Sequence, residues 1–451
     1  PAGASYKSYL LGENDGVPKT AEWAAQITGI PAATIRRLAI EFGETKPSAL
    51  QAGYGPGRTA FGENFHRAAY ALAAITGNTG VVGGNSGVSN GATGRGSMGN
   101  FPVGNNPIDA RVSTPLLADL LEKGKAGGYP ADIKLIYSVG GDIFNQCPSA
   151  AKVAKNLDGV EFIVGQDHFL TPTTRYSDIV LPATTFWERN DVHTPWAGAG
   201  HYAIYMRQAI DPMDECRNDL DIFTDLAQRV GIKGYNDKDE ETWLRELTAS
   251  AVDDFDAFRE NGVARFPAPE NAVAYTEQIN DPQNHKFSTP SGKIEVYCTT
   301  LADNSDPYGL GEMSAVPTWV PHLDCDPEYP LQMCSAKSRA RTHSVHGNQE
   351  KLRLVDPDFV WIHPDDANAR GIHNGQKVKV FSPHGATILL AKVTTDIALG
   401  VTSMNEGAWY TPNEDGVDTE GCANAVTADV SAPCGASTYN TNFVDVRPVN
   451  T

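Results

Sequence analysis

Three short glycine and carboxylate clusters stand where chemistry is most readily built from backbone. Gly53-x-Gly55-x-Gly57 lies between a strand-like run and a helical pattern, a geometry that presents backbone N–H groups and a helix start to a phosphate. The spacing is not GxGxxG, so on these residues alone a plain tight turn is the better reading. Gly140-Gly141-Asp142 and Gln166-Asp167 each follow an apolar run, and groups at the carboxyl ends of parallel strands line the crevice in which open α/β sheets bind ligands. A carboxylate can accept from the adjacent N–H donors of a guanine edge, which makes Asp167 and Asp219 candidate base readers. Asp219 suits equally well the start of a helix.

Other matches carry less. Gly87-Val88-Ser89-Asn90-Gly91 fits GxSxG formally, but the nucleophile elbow requires a strand before and a helix after, and neither is expected in a segment where nine of residues 77–99 are glycine. His343-Ser344-Val345-His346 has no third ligand at a supporting interval, so a structural or ligand-contacting role is the better reading. Glu188-Arg189-Asn190-Asp191 reads equally as a solvated turn or a charge-paired cluster. The seven cysteines form no CxxC pair, which argues against zinc or iron–sulfur ligation within these residues and for mostly buried free thiols.

The elements that position these groups are legible from periodicity and punctuation. Thr20 is placed to cap a helix ending at Gly29, and Pro31 to open a second with Ile35, Leu38, Ala39 and Phe42 on one face. A strand is expected at 48–52, then a helix through Phe65, Ala69, Leu72 and Ile75. Apolar runs at 134–139, 160–165 and 177–182, alternating with helical stretches at 149–157 and 219–230, predict a parallel sheet with crossovers. Residues 252–319 look irregular, and strands at 359–363, 376–381, 386–393 and 400–404 predict a C-terminal β-barrel.

Composition bounds the function. A chain of 451 residues with 43 glycines and 29 prolines has room for two or three cores and many turns. Its 55 acidic against 36 basic residues oppose the phosphate attraction behind nucleic-acid binding, so no nucleic-acid partner is expected. No apolar run is long enough for a membrane span, and residues 1–6 have no leader-like pattern.

Taken together, Trp23-Ala-Ala-Gln-Ile-Thr-Gly-Ile-Pro-Ala, the Gly53–Arg58 turn, Ile75-Thr-Gly-Asn-Thr-Gly-Val-Val-Gly-Gly, Thr184-Thr-Phe-Trp-Glu-Arg-Asn-Asp, Phe287-Ser-Thr-Pro-Ser-Gly-Lys-Ile-Glu and Gly407-Ala-Trp-Tyr-Thr-Pro resemble the molybdopterin oxidoreductases of the dimethyl sulfoxide reductase family. The likeness is greatest to the catalytic subunits of its anaerobic branch. It implies Rossmann-like parallel-sheet domains followed by a six-stranded double-psi-type barrel: residues 1–127 and 128–325 as two α/β cofactor-binding segments, 326–451 as the barrel. It implies molybdenum held by bis-molybdopterin guanine dinucleotide, a 4Fe–4S cluster in a region preceding these residues, an iron–sulfur electron-transfer subunit and a membrane anchor subunit as partners, and a periplasmic or extracytoplasmic site of work. The substrate would be a small S-oxide or N-oxide acceptor in anaerobic respiration; formate, nitrate, arsenate, polysulfide or catechol chemistry within the family, or an inert cofactor-binding fragment, are the alternatives. The motifs match a C-terminal half, inactive by itself.

By position, the resemblance makes Tyr54, Gly55 and Arg58 a cofactor turn, and Asp142 and Gln146 a Gly-Gly-Asn-type loop in which Asp replaces the commoner Asn. Gln166 and Asp167 become a dinucleotide-reading pair, Arg189 a phosphate or ribose contact, and Asp219 a second guanine reader. Ala336, Lys337, Arg341, Thr342, His343 and Ser344 match a stretch that wraps the pterin, with cations suited to pyrophosphate. Asn424 matches a polar pterin contact, and Tyr439 stands where the family often has Gln.

Overall fold

The computed structural model describes residues 3–85, 98–195, 201–267, 273–321 and 325–449. The GxSxG match at 87–91 lies outside them. The chain divides into two compact units, one built from Pro1–Thr93, Ala268–Leu323 and Ala432–Ala436, the other from Gly94–Pro267, Asp324–Ser431 and Ser437–Thr451.

The first unit is helical. Thr20 caps the helix Ala21–Thr28 by accepting from the Trp23 amide at 3.2 Å, and Gly29 ends it in the left-handed region, as its sequence predicts. Ala32–Glu44 follows after Pro31 and Glu63–Ile75 after the glycine turn. Periodicity foretells the helix at 32–44 but not its environment: none of its residues is buried, and Leu38 is 62% exposed.

The strand expected at 48–52 does not form. Ser48 N–H donates to Asn78 Oδ1 at 3.0 Å, while Leu50 N–H and C=O are both taken by the Asn85 side-chain amide, at 2.5 and 3.0 Å. Two asparagine side chains thus satisfy backbone groups that a neighbouring strand would otherwise need to meet.

The second unit holds the sheets. Strands β1 (Leu135–Val139), β2 (Phe162–Asp167) and β3 (Ile179–Pro182) pair in parallel in that order, aligning Val139 with Gln166 and Asp167 with Pro182. Ala150–Leu157 crosses between β1 and β2, burying Ala150, Val153 and Leu157 at helical spacing against Ile163 and Phe144. An antiparallel sheet that the sequence did not announce follows, made of β4 (Asp191–His193), β5 (Tyr202–Met206) and β6 (Val263–Arg265), packed on Leu244, Phe255 and Phe258. The segment expected to be irregular therefore contains β6 and the helix Phe255–Asn261.

Strands β7 (Leu331–Ala336), β8 (Phe359–Ile362), β9 (Lys377–Ser382), β10 (Gly385–Val393), β11 (Val401–Asn405) and β12 (Asn442–Pro448) close a barrel in the order β10-β8-β11-β7-β12-β9. The period-2 alternation of β9 buries Val378 and Val380 completely beside Val360, Ile362, Met333 and Val444. Each such valine contributes on the order of 1.5–3 kcal/mol by leaving water. Closure removes free sheet edges, so the barrel is a rigid carrier for the loops between its strands.

Candidate functional site

Parallel pairing brings the ends of β1, β2 and β3 to one edge, and the sequence-predicted groups gather there. Gly140, at φ 56°, adopts the left-handed conformation with open space where a side chain would be, and its N–H donates to the Gln166 carbonyl at 2.9 Å, which ties the turn after β1 to the end of β2. Asp142 turns inward: it is buried, and its Oδ1 accepts from the Thr173 hydroxyl at 2.8 Å while Oδ2 has no hydrogen-bond partner among the described residues. Burial pushes its carboxyl up to about 6 against that hydrogen bond.

Gln166 is 1% exposed, donates through Nε2 to Asp219 Oδ1 at 2.6 Å and accepts through Oε1 from the Tyr137 hydroxyl at 2.7 Å. Asn218 is the residue that caps the helix Asp219–Arg229, accepting from Leu220 N–H at 3.0 Å, which leaves the Asp219 carboxylate to Gln166 and to Arg189 at 3.9 Å. Asp167 is half-buried, and its Oδ1 accepts from the His168 amide at 2.7 Å.

The residues at 188–191 form a charge-paired cluster. Glu188 is buried and accepts from the amides of Thr185 and Met213, at 2.8 and 2.7 Å, which hold its carboxyl below the usual range. Arg189 pairs with Asp191 at 3.4 Å and donates to the Thr184 carbonyl.

Barrel loops of the same unit clamp the loop after β1. Asn145 donates to the Ala408 carbonyl at 2.7 Å, Asn424 to the Phe144 carbonyl at 3.1 Å, and the Tyr439 hydroxyl to the Gln146 carbonyl. Phe144 stacks on Tyr410, ring centroids 5.2 Å apart. Gln146, Asn424 and Tyr439, 293 positions apart at the extremes, are thereby held around one loop.

The 336–344 stretch divides. Lys337 and His343 are exposed and both reach Glu406 Oε1, at 2.5 and 2.9 Å. Arg341 is buried, with both terminal nitrogens on Asp358 and one also on the Glu406 carbonyl, so its guanidinium braces the barrel loops. Ala336 ends β7 beside Asn405. Thr342 bridges to Val345, and the Ser344 carbonyl accepts from the Trp409 indole at 2.8 Å. Tyr54, Gly55 and Arg58 belong to the other unit, where Gly55–Arg58 is a single 3₁₀ turn with Tyr54 57% exposed.

Sequence reasoning missed Tyr137, Thr173 and Asp418. Asp418 is wholly buried and accepts from Thr387 Oγ1, Thr411 N–H and Cys422 N–H at 2.6–2.8 Å, which sets the course of the loop carrying Trp409 and Asn424. Its sequence signal is only an aspartate amid turn residues. The cysteines are free, but only Cys147 and Cys422 are buried; Cys325 and Cys434 are exposed, against the expectation of burial. Among the described residues no group of three or more His, Cys, Asp or Glu is placed to hold a metal ion, and no helix is long and apolar enough to cross a membrane.

The donor set fits a phosphate-bearing dinucleotide. Asp167 and Asp219 offer acceptors for a base edge, and the cations are Arg189, paired with Asp191 and Asp219, and Lys337, exposed beside Glu406, whereas Arg341 is buried on Asp358.

Comparison with known proteins agrees with that chemistry. A family profile described as molybdopterin oxidoreductase matches residues 23–229, and one described as a molydopterin dinucleotide binding domain matches 331–443. The chain is 36% identical to dimethyl sulfoxide reductase DmsA of Escherichia coli (strain K12) over 100% of its own length and 59% of that protein. It is 35% identical to the trimethylamine-N-oxide reductase of Haemophilus influenzae, over 94% of this chain and 58% of that one. The chain thus spans less than two thirds of the length of these relatives. Among solved structures, acetylene hydratase from Pelobacter acetylenicus shares the fold, with a TM-score of 0.60 at 20% identity, over 75% of this chain and 46% of that one.

Proposed function

Because this chain belongs to the molybdopterin oxidoreductases of the dimethyl sulfoxide reductase family, we propose that it is the guanine-dinucleotide-holding portion of a molybdenum enzyme that reduces small S-oxides or N-oxides. The observation that carries the reading is the convergence of Gly140, Asp167, Asp219 and Arg189 at one sheet edge, with barrel loops clamped onto the loop after β1. When bound, a bis-molybdopterin guanine dinucleotide centre supplies two-electron oxygen-atom transfer.

The chain's own residues bind and orient. Arg189, beside the Gly140 turn, meets a phosphate or ribose; Asp219 and Asp167 accept from the base; Lys337 presents its ammonium and His343 a ring nitrogen beside Glu406. The rigid barrel holds the second set against the first, which keeps a large cofactor in one geometry. On this reading residues 1–127 and 128–325 are two cofactor-binding segments and 326–451 the barrel portion. The whole protein carries a 4Fe–4S cluster, works with an iron–sulfur subunit and a membrane anchor at the extracytoplasmic face, and serves anaerobic respiration.

The test is anaerobic, molybdate-replete production of the whole protein. Molybdenum by elemental analysis, and guanine nucleotide released by acid, are expected. Reduction of dimethyl sulfoxide or trimethylamine N-oxide by reduced viologen supports the substrate class. Protein without molybdenum or guanine sinks the reading, and loaded protein inert toward both acceptors but active on nitrate or formate sinks the substrate class alone.

A further inference from the structure

The Asp219 carboxylate is oriented by a relay that begins outside the ligand edge. Tyr137, on β1, stacks on Phe223 of the helix Asp219–Arg229, with centroids 5.6 Å apart and planes 30° off parallel. Its hydroxyl donates to Gln166 Oε1, which obliges the amide to aim Nε2 the other way, at Asp219 Oδ1. An amide has one accepting and one donating end, so satisfying the first fixes the second. Gln166 is 1% exposed, with one bond at each end of its amide, so its orientation is fixed from within the fold. Asp219 is different: its side chain is 40% exposed, Oδ1 keeps a second lone pair, and Oδ2 faces Arg189 at 3.9 Å, beyond hydrogen-bond length.

We propose that Tyr137 and Gln166 are positioning residues that fix the plane of the Asp219 carboxylate so that it accepts from two adjacent N–H donors of a guanine base, making Tyr137 a determinant of guanine over hypoxanthine recognition. This rests on the dinucleotide reading above and adds to it which residue discriminates and how it is aimed. A carboxylate free to rotate still attracts one N–H. One held in plane rewards the pair, N1–H with the exocyclic amine, which hypoxanthine lacks.

Equilibrium dialysis of the chain with GDP, IDP and ADP tests it. Wild type should prefer GDP to IDP by about tenfold or more, as one charge-assisted hydrogen bond supplies. Tyr137→Phe keeps the ring and its stacking, and should reduce that preference by about three- to tenfold while changing IDP binding little. Asp219→Asn should bring the two ligands close to parity. Should Asp219→Asn fail to fold, as judged by its melting curve, the Tyr137→Phe ratio decides. A preference unchanged in Tyr137→Phe, or one that follows Asp167→Asn and not Asp219→Asn, overturns the inference and leaves the proposed function standing. Wild type that binds neither GDP nor IDP overturns both.

Discussion

Arg341 and Asp358 meet through two hydrogen bonds, one from each terminal nitrogen to a separate carboxylate oxygen, 2.7 and 2.6 Å long, with side chains only 2% and 9% exposed. This fork joins the segment after β7 to the start of β8, and the third bond of the guanidinium, to the Glu406 carbonyl at 3.1 Å, ties in the end of β11. Removing one partner strands a buried charge. Asp358→Ala should lower unfolding free energy by about 3–5 kcal/mol. Replacing both residues by apolar ones of similar volume should recover most of it, and urea unfolding of the two variants measures the difference.

Asp142 predicts a pH dependence of stability. Its folded value of about 6 lies above the ordinary 3.8, so the folded chain holds this proton more tightly than the unfolded chain. The contribution is fully present below the unfolded value and is lost as pH rises through about 6, on the order of 2–3 kcal/mol in all. Asp142→Asn should flatten the stability profile between pH 4 and 7, since it cannot ionise. Equal slopes in wild type and variant would remove the assignment.

Gly407 is a site of close approach. At φ 86°, a Cβ there would stand 1.8 Å from the His343 carbonyl oxygen, and His343 is itself left-handed at φ 54°. The two loops fit only without that carbon. Gly407→Ala should displace the 342–347 turn, cost at least about 1–2 kcal/mol, and loosen His343 from Glu406. Hydrogen exchange would register faster exchange in this turn while β9 stays protected.

Asp167 offers a readout of the ligand edge. If it accepts from a base, Asp167→Ala should weaken retention of the guanine dinucleotide by about 1–3 kcal/mol. Guanine released by acid from equal amounts of purified wild type and variant measures this, and equal yields at limiting cofactor would refute the role.

The sequence by itself determined what is decided within a few residues or by a repeating face. Thr20 and Gly29 bound a helix because cap chemistry acts over one turn; Val378 and Val380 point inward because strand side chains alternate; the ends of β1, β2 and β3 carry glycine, amide and carboxylate because those residues are adjacent to the apolar runs. Only the tertiary structure decided which partner each polar group finds. Arg341 and Lys337 are both cations of one short stretch, yet one is buried on Asp358 and the other exposed beside Glu406, 69 positions away. Residues 48–52 have strand-like composition, but Asn78 and Asn85 take their backbone bonds. Tyr137 reads as one more apolar residue of β1 until its hydroxyl is seen on Gln166. The physical reason is range: propensity and periodicity act along a short stretch of chain, whereas the orientation of a buried side chain is settled by donors and acceptors that only folding brings within 3 Å.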